Sequence, residues 1–221
     1  MSLRSSLLIL VLSGCAMCQT SSTVDRPDIV QKLMPDGVPP RAINLSAAEK
    51  GQVLEQLHLA QKSATGKRSQ EVAFLLAALG SDYERNRDYL IKVLRGCNSP
   101  SIKNGCDEDT GGYLIALYER GHHEVLRPLL LAGMHNNGAA LSEMLGTFYA
   151  DVVTDNPREF LVAIRPLAIS SQKELCELAG ATDGGGMSPD DLIKVRKGLQ
   201  AVDNEVARRC LREIELANKS R

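Results

Sequence analysis

From Ser46 onward, apolar residues recur at spacings of three and four, the period of a helix with one buried face. Ser46-Ala47-Ala48-Glu49 opens the series as a capping box, in which Ser and Glu satisfy each other's backbone donors at a helix start. Val53, Leu54, Leu57 and Ala60 then share one face, to about Lys62. A polar gap, Ser63 to Ser69, precedes Val72–Leu79, which Gly80 is expected to end in the left-handed conformation. Tyr89, Leu90, Val93 and Leu94 make the next stripe, stopped by Gly96; Tyr113, Leu114, Leu117 and Tyr118 follow, stopped by Gly121. Val125, Leu126, Leu129 and Leu130 form another, ending at Gly133, with Pro128 expected to kink it. Leu141, Met144, Leu145, Phe148 and Val152, then Phe160, Leu161 and Ile164, complete the middle of the chain. No segment sustains the alternation of a strand. The expected fold is all-α: an array of antiparallel helical hairpins, α-solenoid-like, with a long C-terminal amphipathic helix.

That last helix starts at Ser188-Pro189-Asp190-Asp191, with a capping Ser, Pro in the first turn and acids at the positive end of the dipole. Leu192, Val195, Leu199, Val202, Val206 and Cys210 continue one seam to Ile214, which reads as a single helix of about seven turns. The seam is short for a coiled coil, so it is expected to pack on its own domain, and the expected state is a monomer. Glu205, Arg208, Arg209 and Arg212 read as its solvated face. Over about residues 70–167, Leu94-Arg95, Leu126-Arg127 and Ile164-Arg165 recur at intervals of about 32–38 residues, and Arg127-Pro128-Leu129 returns as Arg165-Pro166-Leu167. This period resembles the helical-hairpin repeats of tetratricopeptide and HEAT-like proteins, although no Trp is present to complete the tetratricopeptide consensus.

The N-terminus supplies an address. Arg4 precedes the apolar run Leu7 to Leu12, which is too short for the roughly 20 residues of a membrane span and has the layout of a removed targeting segment. Leu12-Ser13-Gly14-Cys15 resembles the lipobox of bacterial lipoproteins. That resemblance implies a signal peptide over 1–14 and lipid attachment at Cys15. Ala16 in place of Asp resembles outer-membrane sorting. Cleavage after Cys18, giving a secreted chain, is the alternative. Residues 15–45, punctuated by Pro27, Pro35, Pro39 and Pro40, read as a flexible membrane tether with a short helical turn over Ile29–Met34. Residues 46–221 read as the helical domain, with capping helices over about 172–218.

Charge and cysteine usage narrow the function classes. The 221 residues carry 26 basic and 27 acidic side chains, which lacks the basic footprint of a nucleic-acid binder. No Trp, five Tyr and three Phe leave few stacking platforms and require an aliphatic core. Beyond Cys15 and Cys18 there remain Cys97, Cys106, Cys176 and Cys210; four cysteines allow three pairings, of which Cys97–Cys106 and Cys176–Cys210 are favoured in an exported chain. The Cys-x8-Cys spacing lacks the companion ligands of a zinc site.

No catalytic signature stands out. Asp107-x-Asp109-x-x-Gly112 matches the start of a calcium loop, but Tyr118 occupies the position of the bidentate Glu, so Asp109 or Thr110 reads as a helix cap instead. His122 and His123 point about 100° apart on a helix and cannot form an i,i+4 metal pair; His58 and His135 have no ligand neighbours. Asp183-Gly184-Gly185-Gly186 lacks the Gly-Lys-Ser/Thr end of a phosphate loop and reads as a connector. No cofactor is implied. The leading expectation is a membrane-anchored periplasmic lipoprotein, a non-enzymatic helical scaffold for other envelope proteins. The alternatives are a small-ligand or metal binder using the Cys97–Cys106 loop, and an envelope hydrolase whose acids and histidines converge only in the fold.

Overall fold

The computed structural model describes residues 28–96, 108–134, 139–181 and 186–219. Among these residues the chain is all-α, with no strand. In order the helices are α1 (Ile29–Leu33), α2 (Ala47–Ser63), α3 (Lys67–Ala78), α4 (Tyr83–Gly96), α5 (Glu108–Tyr118), α6 (Leu126–Met134), α7 (Ala139–Asp155), α8 (Pro157–Ile164), α9 (Ile169–Gly180), α10 (Pro189–Val202) and α11 (Glu205–Lys219). A 3-10 turn, His123–Val125, leads into α6.

Local sequence signals account for several boundaries. The Ser46 hydroxyl accepts from the Glu49 amide at 3.3 Å while the Glu49 carboxylate accepts from the Ser46 amide at 2.8 Å, closing the expected capping box. Gly80 and Gly121 follow α3 and α5 with φ of +74° and +93°, a region that costs a residue with a Cβ. Ser188 caps α10 by accepting from the Asp191 amide at 3.1 Å.

Two helices organise the packing. α3 lies among α1, α2, α4 and α5, and its residues from Val72 to Ala77 are all buried, the mark of a helix enclosed on every side. α7 does the same work in the second half, touching α5, α6, α8, α9 and α10. The core between them is aliphatic, with Phe74, Tyr113, Tyr149 and Phe160 as its large aromatics. Its few buried polar groups are satisfied. Thr110 donates to Gln70 at 2.5 Å, Asn86 donates to the Ser81 and Asp82 carbonyls, and Gln172 donates to the Leu167 carbonyl at 2.8 Å while accepting from Arg209.

Four expectations change. Residues 28–45 are not free tether: Asp28 caps α1, and Val30 and Met34 are buried in the core, because two apolar side chains one turn apart gain more by burial than Pro-rich chain gains by staying extended. The long C-terminal helix is two helices. Asp203 takes a left-handed backbone (φ +42°) and the Asn204 side chain accepts from the Ala207 amide at 2.8 Å, so two helix-ending residues break the seam that apolar periodicity alone carries through. Pro128 lies in the first turn of α6, where its missing N–H breaks no helical bond, so it starts that helix rather than kinking it. The two Arg-Pro-Leu triplets also fall differently, one in the first turn of α6 and the other just beyond α8.

The disulfide Cys176–Cys210 joins α9 to α11 across 34 residues of sequence. The two helices approach so closely there that a Cβ on Gly180 would lie 2.7 Å from the Ile214 carbonyl oxygen.

Candidate functional site

The face of α7 turned away from the core carries two parallel rows. Glu143, Thr147, Asp151 and Asp155 follow one another at four-residue intervals, and Ala140 and Met144 lie beside them, while Phe148, next on that line, is buried against Tyr118 and Tyr149. The opposite side of the helix, Leu141, Leu145, Tyr149, Val152 and Val153, is buried. α7 thus separates a packing face from a chemically mixed outer face.

Two adjoining cavities lie along that outer face. One, of about 480 Å³, is bounded by Gly112, Ile115 and Glu119 of α5 and the segment after it, and by Ala140, Glu143, Met144, Thr147, Phe148 and Asp151 of α7. The other, of about 350 Å³, lies between Thr147, Ala150, Asp151, Thr154 and Asp155 of α7 and Met187, Ser188, Asp191 and Lys194 at the start of α10. Thr147 and Asp151 line both, so the two make one trough. Its apolar end exists because α5 sits close to α7: a Cβ on Gly111 would fall 2.7 Å from Leu141 and Met144 side-chain atoms. Gly111 and Gly112 lie inside α5.

Carboxylates dominate the charge of the trough. Among the described residues Lys194 is the one cation lining it, and it is held by Asp191 at 3.1 Å. Glu119, Glu143, Asp151 and Asp155 form no ion pair among the described residues. Asp191 is held below the usual carboxylate range by the Ser188 hydroxyl and by Lys194. Asp151 moves the other way: partial burial, then the charges of Asp155, Asp191 and Glu119, raise its carboxyl.

A raised carboxyl has a defined sign in stability. The folded chain binds the Asp151 proton more tightly than the unfolded chain, so stability falls as pH rises through the raised value. Asp151→Asn is therefore expected to stabilise the chain near neutral pH, by about 0.2–0.5 kcal/mol if relief of the i,i+4 repulsion with Asp155 dominates. The gain should vanish in acid, where the Asp151 carboxyl is protonated in the folded and the unfolded chain alike. Denaturant unfolding near pH 7 and near pH 3 checks this; a loss of stability at neutral pH would contradict it.

A second constellation surrounds the turn after α5. The His122 ring stacks on Tyr83 with centroids 4.1 Å apart, the Tyr83 hydroxyl donates to Glu124, and Arg87 lies over the Tyr83 ring. His123 Nδ1 meets Glu159 of α8 at 2.8 Å, and the Tyr118 hydroxyl donates to the same carboxylate at 3.0 Å. Burial first, then the partner carboxylate, pushes both phenols well up, which keeps them protonated as donors. The arrangement clamps the His123–Val125 turn to α4 and α8.

Comparison with protein-family models, curated proteins and solved structures returned no match.

The residues singled out from sequence fare differently. Thr110 is a buried member of α5 bonded to Gln70, and Asp109 pairs with Lys67; neither is the helix cap expected of them, because α5 begins earlier, at Glu108. His58 meets the Ser81 hydroxyl at 3.1 Å. Cys176 and Cys210 are joined. Cys15, Cys18, Cys97, Cys106, Asp107, His135 and Asp183 to Gly185 lie outside the described residues. Sequence reading passed over Glu143, Asp151 and Asp155, although with Thr147 they recur every four residues along the helix.

Proposed function

We propose that this chain is a lipid-anchored helical scaffold of the bacterial cell envelope that docks another envelope protein in the α7 trough. The trough carries the reading: a helix whose inner side is locked in the core offers an outer side with an apolar row and a polar row, the surface that helix-in-groove recognition uses. Positions 140 to 155 extend for about 22 Å at 1.5 Å per residue, enough to seat several turns of a partner helix. Leu12-Ser13-Gly14-Cys15 supports the address, with Cys15 as the acylated first residue and the periplasmic face of the outer membrane as the destination. More than one acyl chain makes such anchoring stable.

Two experiments test the two halves. Cys15→Ser is expected to move the protein from the membrane fraction to the soluble fraction, and the wild-type N-terminal peptide should carry acyl mass. An unmodified N-terminus at Gln19 would overturn the anchor. For docking, Thr147→Trp places a bulky ring where the two cavities meet without changing charge. Crosslinking in intact envelopes should recover a defined envelope protein with the wild-type chain and lose it with Thr147→Trp, the variant's helical circular dichroism being unchanged. Recovery that survives the plug would remove the trough from the function, and no specific recovery by the wild type would overturn the scaffold.

A further inference from the structure

Resting on the docking reading above, we infer that the occupant of the α7 trough is a cationic amphipathic helix of a partner protein, its apolar side on Ile115, Ala140 and Met144 and its Lys or Arg side chains along Asp151 and Asp155.

The two rows of α7 dictate the chemistry. Ala140 and Met144, with Ile115 across from them and the buried Phe148 ring beneath, form an apolar strip that favours an apolar partner surface. Met is suited to such a floor because its unbranched thioether side chain adapts to the shape laid against it. The second row and the walls are carboxylates: Glu119 from the segment after α5, Glu143, Asp151 and Asp155 from α7, and Asp191 from α10. Among the described residues of the lining, Lys194 is the cation that faces them, and it is already committed to Asp191. Four carboxylates that enter no ion pair among the described residues, set beside an apolar strip, are complementary to a helix with basic residues flanking an apolar stripe. An acidic occupant would meet like charge along the whole trough, and a wholly apolar one would leave the acid row facing uncharged surface. The raised Asp151 carboxyl reports the same crowding, which an added cation would relieve.

The test uses the chain from position 15 onward with Cys15→Ser, so that no micelle competes for the probe. The probe is a synthetic helical peptide of about 16 residues, with Leu at i, i+3, i+4 and i+7 and Lys elsewhere, long enough to run the length of the trough. A second peptide replaces every Lys with Glu. The trough variant is Asp151→Asn with Asp155→Asn. The control variant, Glu174→Gln with Glu177→Gln, removes the same charge from exposed positions on α9. Saturable binding of the Lys peptide is expected, weakened about fivefold or more by the trough pair and less than about twofold by the α9 pair. Raising ionic strength from about 0.05 to about 0.5 M should erase most of that difference. No binding, equal loss with both variant pairs, or equal binding of the Glu peptide would each overturn the inference. The docking proposal would still stand if Thr147→Trp abolishes partner recovery while the Asn pair leaves it intact; it falls separately if the wild type recovers no partner.

Discussion

Reduction of Cys176–Cys210 is expected to lower the stability of this domain by about 3–4 kcal/mol, the value of a closed loop of this length in the chain-entropy model. For a domain of this size that corresponds to a melting temperature about 10 °C lower. Cys210→Ser should match the effect of a reductant on the wild type and should itself be insensitive to reductant. Both sulfurs are in the core, so the bond joins helices that already pack closely at Gly180 and Ile214. Thermal unfolding with and without dithiothreitol measures the difference. Equal melting temperatures would mean that the α9–α11 contact stands on packing alone.

Tyr149→Ala is expected to cost about 3–5 kcal/mol, in the range of deleting a large buried aromatic side chain. Tyr149 is fully buried on the inner side of α7, where its hydroxyl donates at 2.6 Å to the Leu129 carbonyl and its ring lies against Gly133 of α6. Tyr149→Phe keeps the ring and removes the hydroxyl with its hydrogen bonds to the Leu129 carbonyl and the Gly133 backbone, so it should cost only about 1–2 kcal/mol. The comparison bears on function because Tyr149 holds the helix whose other side lines the trough. Urea unfolding of the two variants decides it. Similar losses for Phe and Ala would place the stabilisation in the hydrogen bonds and leave the ring's packing immaterial.

Apolar periodicity located most of the helices because each one buries a stripe against a neighbour, and Ser46, Gly80 and Gly121 marked ends by chemistry that is local to the sequence. The failures share a cause. Asp203-Asn204 ends one helix and starts another inside an uninterrupted apolar seam, so the seam conceals a break written in cap residues. The helical turn over Ile29–Met34 is legible and is α1, but the burial of Val30 and Met34 depends on α3 and α2 being in place. Thr110 looked like a cap because Ser, Thr and Asp favour caps, yet a Gln70 on a buried helix gave its hydroxyl a partner in the core. The trough was half legible. Phe148 reads as core from the three-four spacing it shares with Leu141 and Leu145 and is buried there, whereas Met144, on the same spacing, is only partly buried and borders the cavity beside Gly111 and Gly112. Asp191 and Lys194 join Asp151 only through the packing of α10 on α7, which no local pattern encodes.

The central claim is that the outer side of α7 docks another protein in the envelope. Site-specific photocrosslinking in living cells tests it most directly. A photoreactive side chain replaces Thr147 in the trough or, as a control, Leu59, an exposed apolar position on α2. Docking predicts a discrete crosslinked species from position 147, of one mass in every preparation and absent from position 59. Crosslinks from position 59 that equal those from 147, or none from 147 when the protein is at its native level in the membrane, would contradict it.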